Sequence, residues 1–315
     1  MQTKQLGKSD LYITPVGVGA WAMGGGGWKF GWGGQEDQDS IAAIHRALDL
    51  GVNWIDTAAV YGLGHSEEIV GRAIKGLSEK PYIFTKGARV WDEDGNIGRS
   101  LKADSLRREV ENSLRRLDVD VIDLYQIHWP QPDEDIEEGW TALAEMQKEG
   151  KLRNIGVSNF SPSQMQRALD IAPITSNQPP YSAVRPGIED DVLPFCLENN
   201  IGVIVYSPMQ AGLLTGKMTR ERAAGFPEND WRHSNPEFQE PKLSKNLALA
   251  DVMGEIAKRH DVPTPAVSIA WVLKHPAVTA AIVGMRRADQ VDDVVVGGTL
   301  ELDEQDIAKI DALIR

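Results

Sequence analysis

The chain has 315 residues, and its 33 Lys and Arg set against 46 Asp and Glu give a net charge of −13. Negative charge of that size repels phosphate polymers over most of the surface, which argues against a nucleic-acid partner. No uninterrupted apolar run approaches the ~20 residues that span a bilayer, and Met1-Gln2-Thr3-Lys4-Gln5-Leu6 holds no apolar signal region, so a cytoplasmic protein without a membrane partner is expected.

In chain order, two short extended runs around Gly7-Lys8-Ser9-Asp10 predict a hairpin. One theme then repeats, an apolar strand-like run followed by a helical pattern. The strand candidates are Val16 to Gly19, Val52 to Asp56, Tyr82 to Lys86, Val121 to His128, Asn154 to Ser158, Ile174 to Gln178, Val203 to Ser207 and Ala280 to Val283. About eight strands alternating with helices predict an α/β protein with a closed (β/α)8 TIM barrel, and such barrels reach this length as one domain, here residues 1–315. Ser40 to Leu50 is apolar at helical spacing and stops at Gly51, and Asp104 to Leu117 does the same before Asp118. Two irregular stretches, Ala22 to Gly34 after the first barrel strand and Leu214 to Pro241 after the seventh, predict long loops over the barrel mouth. The single cysteine, in Leu193-Pro194-Phe195-Cys196-Leu197, reads as a small helix-core residue.

Two motif matches fail on their own physical requirements. Gly17-Val18-Gly19-Ala20-Trp21-Ala22 fits a GxGxxA dinucleotide pattern, but that pattern needs a helix to start there, and the glycine-rich Met23 to Gly27 cannot propagate one. Tyr82 and Lys86 have Tyr-x-x-x-Lys spacing, which shares a face only on a helix; in a strand-like run Tyr82 is expected to pack the barrel. The six histidines show no metal-binding spacing, and no metal is expected.

Chemistry in such a barrel stands at the carboxyl ends of its strands. Asp56 ends the second barrel strand with Tyr61 in its loop, Lys86 ends the third and His128 the fourth, so four ionisable groups are expected on one rim. A phenol with its ordinary pKa of about 10 is a weak acid at neutral pH; a neighbouring ammonium lowers that pKa, and a carboxylate keeps the ammonium charged. Asp56, Lys86 and Tyr61 form such a chain, and His128 can hydrogen-bond a carbonyl oxygen undergoing reduction. None of these groups supplies a hydride, so a cofactor must. Ser158, Asn159 and Gln178 can give and accept hydrogen bonds at a nicotinamide carboxamide, and Tyr206 offers a stacking face. Ser207 to Lys217 forms a polar, glycine-bearing loop fit to follow a pyrophosphate, and Gly284-Met285-Arg286-Arg287 adds local positive charge. Trp21, Trp91 and Trp129 fall on mouth loops and are expected to wall the substrate.

These residues resemble the aldo-keto reductase superfamily over essentially the whole chain. Asp56-Thr57-Ala58 with Tyr61-Gly62, Thr85-Lys86, Asp123 to His128, Gly156-Val157-Ser158-Asn159-Phe160, Asn177-Gln178 and Tyr206-Ser207-Pro208 follow its patterns in order. Gly212-Leu213-Leu214-Thr215-Gly216-Lys217 and the segment Gly284 to Gln290 point to bacterial members related to potassium-channel β subunits. The resemblance implies a catalytic tetrad of Asp56, Tyr61, Lys86 and His128, with Tyr61 as general acid or base. It also implies an extended NADP(H), or NAD(H), touching Ser158, Asn159, Gln178, Tyr206, Ser207, Gly212, Leu213, Lys217, Gly284, Arg286 and Gln290. Where many members carry an acidic residue followed by Asn facing the adenine, this chain reads Asp293-Val294. The expected activity is reduction of aldehydes or ketones, or oxidation of alcohols or sugars; the alternative is a nucleotide-binding regulatory or scaffold subunit with little turnover. Oligomeric state stays open.

Overall fold

The barrel is built from apolar runs of at most seven residues, buried on both faces, a pattern that suits parallel strands wrapped by helices. The structure is a computed structural model describing residues 1–228 and 230–314. A short antiparallel hairpin, β1 (Lys4–Gln5) and β2 (Tyr12–Ile13), comes first. The barrel strands are β3 (Val16–Gly19), β4 (Trp54–Asp56), β5 (Tyr82–Gly87), β6 (Ile122–Ile127), β7 (Leu152–Ser158), β8 (Ser176–Gln178), β9 (Gly202–Val205) and β10 (Val278–Gly284). They pair in parallel in chain order, and β10 closes the circle between β9 and β3. The closed parallel barrel with its amino-terminal hairpin is the predicted architecture.

The helices are α1 (Asp37–Asp49), α2 (His65–Ile74), α3 (Ala103–Leu117), α4 (Ile136–Lys148), α5 (Pro162–Leu169), α6 (Val192–Asn199), α7 (Arg220–Ala224), α8 (Lys242–His260), α9 (Thr264–Leu273), α10 (Val291–Val295) and α11 (Glu304–Ile314). α1 begins three residues before the predicted start because Asp37 and Asp39 suit a polar first turn facing solvent. α3 stops where predicted, at Asp118, which takes a left-handed conformation and returns its N–H to Leu114 O. The Leu214 to Pro241 stretch is less irregular than expected: Thr219 caps α7 by accepting the Arg222 N–H at 3.1 Å. Predicted strands overran at Val52, Asn53, Ile174 and Thr175, which are apolar or β-branched in part but lie outside the ladder.

Two apolar layers hold this shape. Trp54, Phe84, Leu124, Ile204, Ala280 and Ile282 fill the barrel, and Leu6, Leu11 and Ile13 of the hairpin segment join them. The Trp54 indole N–H donates to Thr14 O at 2.9 Å, so the hairpin closes the end where the strands begin. Tyr82 packs against this inner layer, as expected of a strand residue without a helical partner for Lys86. The second layer lies between barrel and helices, where Leu106, Val110 and Leu117 of α3 are fully buried. Cys196 belongs to it, 3.8 Å from Met165 Sδ, and burial pushes its thiol up to about 12, consistent with a packing role. Among the described residues no helix is long and apolar enough to cross a membrane. With one end plugged, the opposite rim is left to form a site.

Candidate active site

Because all eight barrel strands run the same way, their carboxyl ends meet at one rim. Asp56 ends β4, Lys86 is the penultimate residue of β5 and His128 directly follows β6. Ser158, Gln178 and Gly284 end β7, β8 and β10, and Tyr206 directly follows β9. A cavity of about 710 Å³ opens there, lined by Asp56, Tyr61, His128, Ser158, Gln178 and Tyr206 among others. That volume lies in the range of small-molecule and cofactor sites.

Lys86 organises the cavity floor. Its Nζ donates to Asp56 Oδ1 at 2.6 Å, Thr57 O at 2.8 Å and the Tyr61 hydroxyl at 3.3 Å, so all three donors are used. The remaining Asp56 oxygen accepts from the Gln178 amide at 2.9 Å and the Gln126 amide at 3.5 Å. Gln126 was not expected from sequence, because it sits inside an apolar run and its side chain faces Asp56 only once the barrel closes. The Tyr61 ring stands edge-on to His128, with centroids 5.7 Å apart. The four expected groups are together.

Burial pushes the Lys86 ammonium down, but Asp56 and then Tyr61 together more than offset it and hold Lys86 above the usual lysine range. Asp56 is pushed up by burial and pulled back in part by Lys86. The Tyr61 phenol corrects an expectation: burial raises it above the ordinary tyrosine value, and the Lys86 ammonium counters this only in part. Desolvation of a phenolate inside an aromatic cage outweighs one cation already paired with a carboxylate. His128 falls well below the ordinary histidine range through burial, then through the positive charges of Lys86 and Arg89, so its ring is neutral at pH 7.

The expected cofactor residues divide into two sets. Ser158, Asn159, Gln178, Tyr206, Ser207, Gly212, Lys217, Gly284, Arg286 and Gln290 all line the cavity. Asn159, in a left-handed conformation with φ 62°, donates to His128 O and Ser158 Oγ at 3.0 Å and accepts from the Tyr206 hydroxyl at 2.8 Å. Its amide therefore holds His128 and Tyr206 in place. Ser207, Gln210, Ala211 and Gly212 all have positive φ, which curls the loop after β9 into a concave backbone turn. Leu213 departs from the expectation: it is fully buried in the apolar core and does not line the cavity, because that curl turns its side chain inward. Val294 does line the cavity, without an amide.

The Arg pair after β10 also divides. Arg287 is bound to Asp289 at 2.9 Å. Arg286 meets only neutral acceptors, Gln35 Oε1 at 2.7 Å and Gly34 O at 2.6 Å, and its backbone N–H is held by Gln290 at 3.1 Å. Its charge faces the cavity without a carboxylate among the described residues.

The opposite wall is aromatic. Trp21 stacks on Tyr61 with centroids 6.2 Å apart, and Trp231 from the second long loop also stacks on Trp21 at 6.2 Å. Trp32 meets both Trp21 and Trp231 edge-on. The first loop is pinned beside Tyr61 by a backbone contact at Gly24 and Gly62; a Cβ on Gly62 would lie 2.2 Å from Gly24 O, and Gly62 has φ 63°. Trp129 lines the cavity as expected, but Trp91 does not. A β-bridge to Ile97 presents Ile97 to the cavity, while the Arg116 guanidinium lies 5.8 Å over the Trp91 ring. Sequence reading missed Trp231 and Arg89; the rule that placed Lys86 at a strand end could have included Arg89, three residues further on.

A barrel with this Tyr, Lys, Asp and His cluster beside a long donor-lined groove defines a class of nicotinamide-dependent oxidoreductases. The chain belongs to the aldo/keto reductase family, whose sequence profile matches residues 16–315. It is 38% identical over 310 residues to aldo-keto reductase YhdN of Bacillus subtilis, covering 97% of this chain and 92% of that one. It is 33% identical over 323 residues to the NADH-specific methylglyoxal reductase of Escherichia coli, covering 97% and 96%. Among solved structures it resembles the glycerol dehydrogenase AKR11B4 of Gluconobacter oxydans, with a TM-score of 0.90, 39% identity and coverage of 99% and 94%. The chain is an NAD(P)H-dependent oxidoreductase acting on carbonyl groups or the corresponding alcohols, and the regulatory-subunit alternative is not favoured.

Proposed function

We propose that this enzyme reduces small aldehydes or ketones with Tyr61 as the proton donor, and that it prefers NADPH. The observation that carries the first part is Lys86 Nζ bridging Asp56 Oδ1 at 2.6 Å and the Tyr61 hydroxyl at 3.3 Å on the cavity floor. A bound nicotinamide nucleotide supplies the hydride. Tyr61 gives its proton to the oxygen of the former carbonyl, and neutral His128 orients that oxygen from the side. Lys86 biases the phenol towards release, and Asp56 keeps Lys86 charged. Trp21 and Trp129 flank the substrate. The E. coli relative is named for methylglyoxal and the Gluconobacter protein for glycerol, both three-carbon compounds, which supports a small oxygen-bearing substrate here.

The groove suits a dinucleotide in its donor set: hydroxyl and amide groups at Ser158 and Gln178, the Tyr206 ring, the curled turn at Ser207 to Gly212, and Arg286 at the far end. Preference for NADPH rests on Arg286, whose charge no carboxylate among the described residues neutralises and which can meet the 2′-phosphate that NADH lacks. Arg287 is spoken for by Asp289. The E. coli relative is named as NADH-specific.

Oxidation of NADPH and NADH with a panel of small aldehydes, followed at 340 nm, tests the activity; binding of nucleotide without turnover of any aldehyde would sink it. Arg286→Ala is expected to weaken NADPH by about 10 to 150-fold, the effect of losing a charge-assisted contact of about 1.5 to 3 kcal/mol, and to change NADH little. Fluorescence titration of both nucleotides decides the matter, since equal weakening means that Arg286 does not read the phosphate.

A further inference from the structure

Arg89 enters the chemistry described so far only by helping to keep His128 neutral, yet it lines the cavity. It follows β5 by two residues, and β5 and β6 pair through Gly87 and Ile127, so Arg89 emerges beside His128 and Trp129. The His128 N–H donates to Gly87 O at 3.1 Å, which ties the two strand ends together. The guanidinium lies 5.6 Å over the Trp129 ring. A stacked guanidinium is held in orientation by its face while its N–H groups at the edge stay free.

Among the described residues the Arg89 side chain makes no hydrogen bond and no ion pair, in a chain where carboxylates outnumber cations by thirteen. Other cavity arginines are engaged: Arg232 pairs with Asp230, Arg287 with Asp289, and Arg222 donates to Lys217 O. Arg89 is half-buried, and burial together with nearby Arg99 disfavours its charge. A half-buried cation with another cation nearby is costly unless an anion completes it. The donors expected to hold the nucleotide lie on the β7 to β10 side of the mouth, whereas Arg89 lies on the β5 and β6 side with His128 and Trp129. The Arg89 guanidinium therefore stands on the His128 side of the cavity.

We propose that the substrate is a carbonyl compound carrying an anionic group, a carboxylate or a phosphate, which Arg89 binds while the carbonyl oxygen meets Tyr61 and His128. This rests on the oxidoreductase reading above and adds the substrate class. The anionic group takes no part in the chemistry: hydride goes to the carbonyl carbon, the Tyr61 proton to its oxygen, the nicotinamide is oxidised, and solvent returns the proton to Tyr61.

The test compares 4-formylbenzoate with its methyl ester, and glyceraldehyde 3-phosphate with glyceraldehyde, in wild type, Arg89→Met and Arg89→Lys. Comparing ratios between proteins cancels the intrinsic reactivity of each aldehyde. In wild type, kcat/KM should favour at least one anionic member of the two pairs, and the pair that shows it identifies the group. Arg89→Met should lower that preference by about 10-fold or more, mainly through KM, and Arg89→Lys should restore part of it. Wild type with the lower KM for the neutral member of both pairs, or an unchanged ratio in Arg89→Met, overturns the inference while leaving the oxidoreductase reading intact. No turnover of any of the four overturns the inference, and no turnover across the wider aldehyde panel overturns the carbonyl-reductase reading as well. The wild-type preference needs no variant, so poor folding of Arg89→Met does not remove the test.

Discussion

Replacing Tyr61 by Phe is expected to lower carbonyl turnover by at least about 10², the lower range for general acid catalysis, with little change in nucleotide affinity. The ring stays packed against Trp21 and His128, so only the hydroxyl 3.3 Å from Lys86 Nζ is lost. Steady-state rates and nucleotide titration separate the two effects. Retention of more than about a tenth of wild-type turnover would mean that another group delivers the proton. The pH profile carries a second expectation. The phenol is raised above its ordinary value, so the proton-bearing form persists through neutral pH, and reduction should decline only as pH rises beyond the ordinary tyrosine value of 10.0. Alcohol oxidation needs the phenolate and should rise with pH over the same range. A reduction rate that falls between pH 6 and 8 would contradict the assignment.

Lys86→Met is expected to be at least as damaging to turnover and, unlike Tyr61→Phe, to destabilise the fold. Both Lys86 and Asp56 are almost wholly buried, and removing one partner leaves the other charge uncompensated, at a cost of about 3 to 5 kcal/mol. Asp56 lessens that cost by taking up a proton, which burial already favours. The double variant Lys86→Met with Asp56→Asn has no buried charge to strand and should recover much of the stability without recovering turnover. Asp56→Asn alone should be milder on turnover, since Lys86 still reaches Thr57 O and Tyr61. Thermal unfolding of the three proteins with parallel rate measurements checks this; a Lys86→Met protein as stable as wild type, or active with an unchanged pH profile, would show that the ammonium does not serve Tyr61.

The site was legible in the sequence where chemistry sits at the end of a strand. Asp56, Lys86, His128, Ser158, Gln178 and Gly284 could be placed because a parallel barrel sends every carboxyl end to one rim, and the apolar runs announce those ends. Residues on loops were harder. Trp21, Trp91 and Trp129 looked equivalent as mouth tryptophans, yet Trp91 turns away because one β-bridge to Ile97 sets which face of that loop meets the cavity. Leu213 followed its glycine into the expected cofactor set but points to the core, since four residues with positive φ reverse the chain before it. Gln126 was hidden in an apolar run, although it helps hold Asp56.

Local residue patterns alone determined the α/β class, the number and order of strands, and the identity of the four ionisable groups, because burial on two faces and strand-end placement are written in short stretches of chain. Tertiary structure decided what those groups face. The direction of the Tyr61 shift depends on burial beneath Trp21, which comes from a distant loop, weighed against a lysine on another strand. Whether an arginine is paired or free depends on acids remote in sequence: Arg46 finds Asp292 across 246 positions, while Arg89 and Arg286 find no carboxylate among the described residues. Electrostatic partnership is a property of distance in space, and sequence spacing does not carry it beyond a few residues.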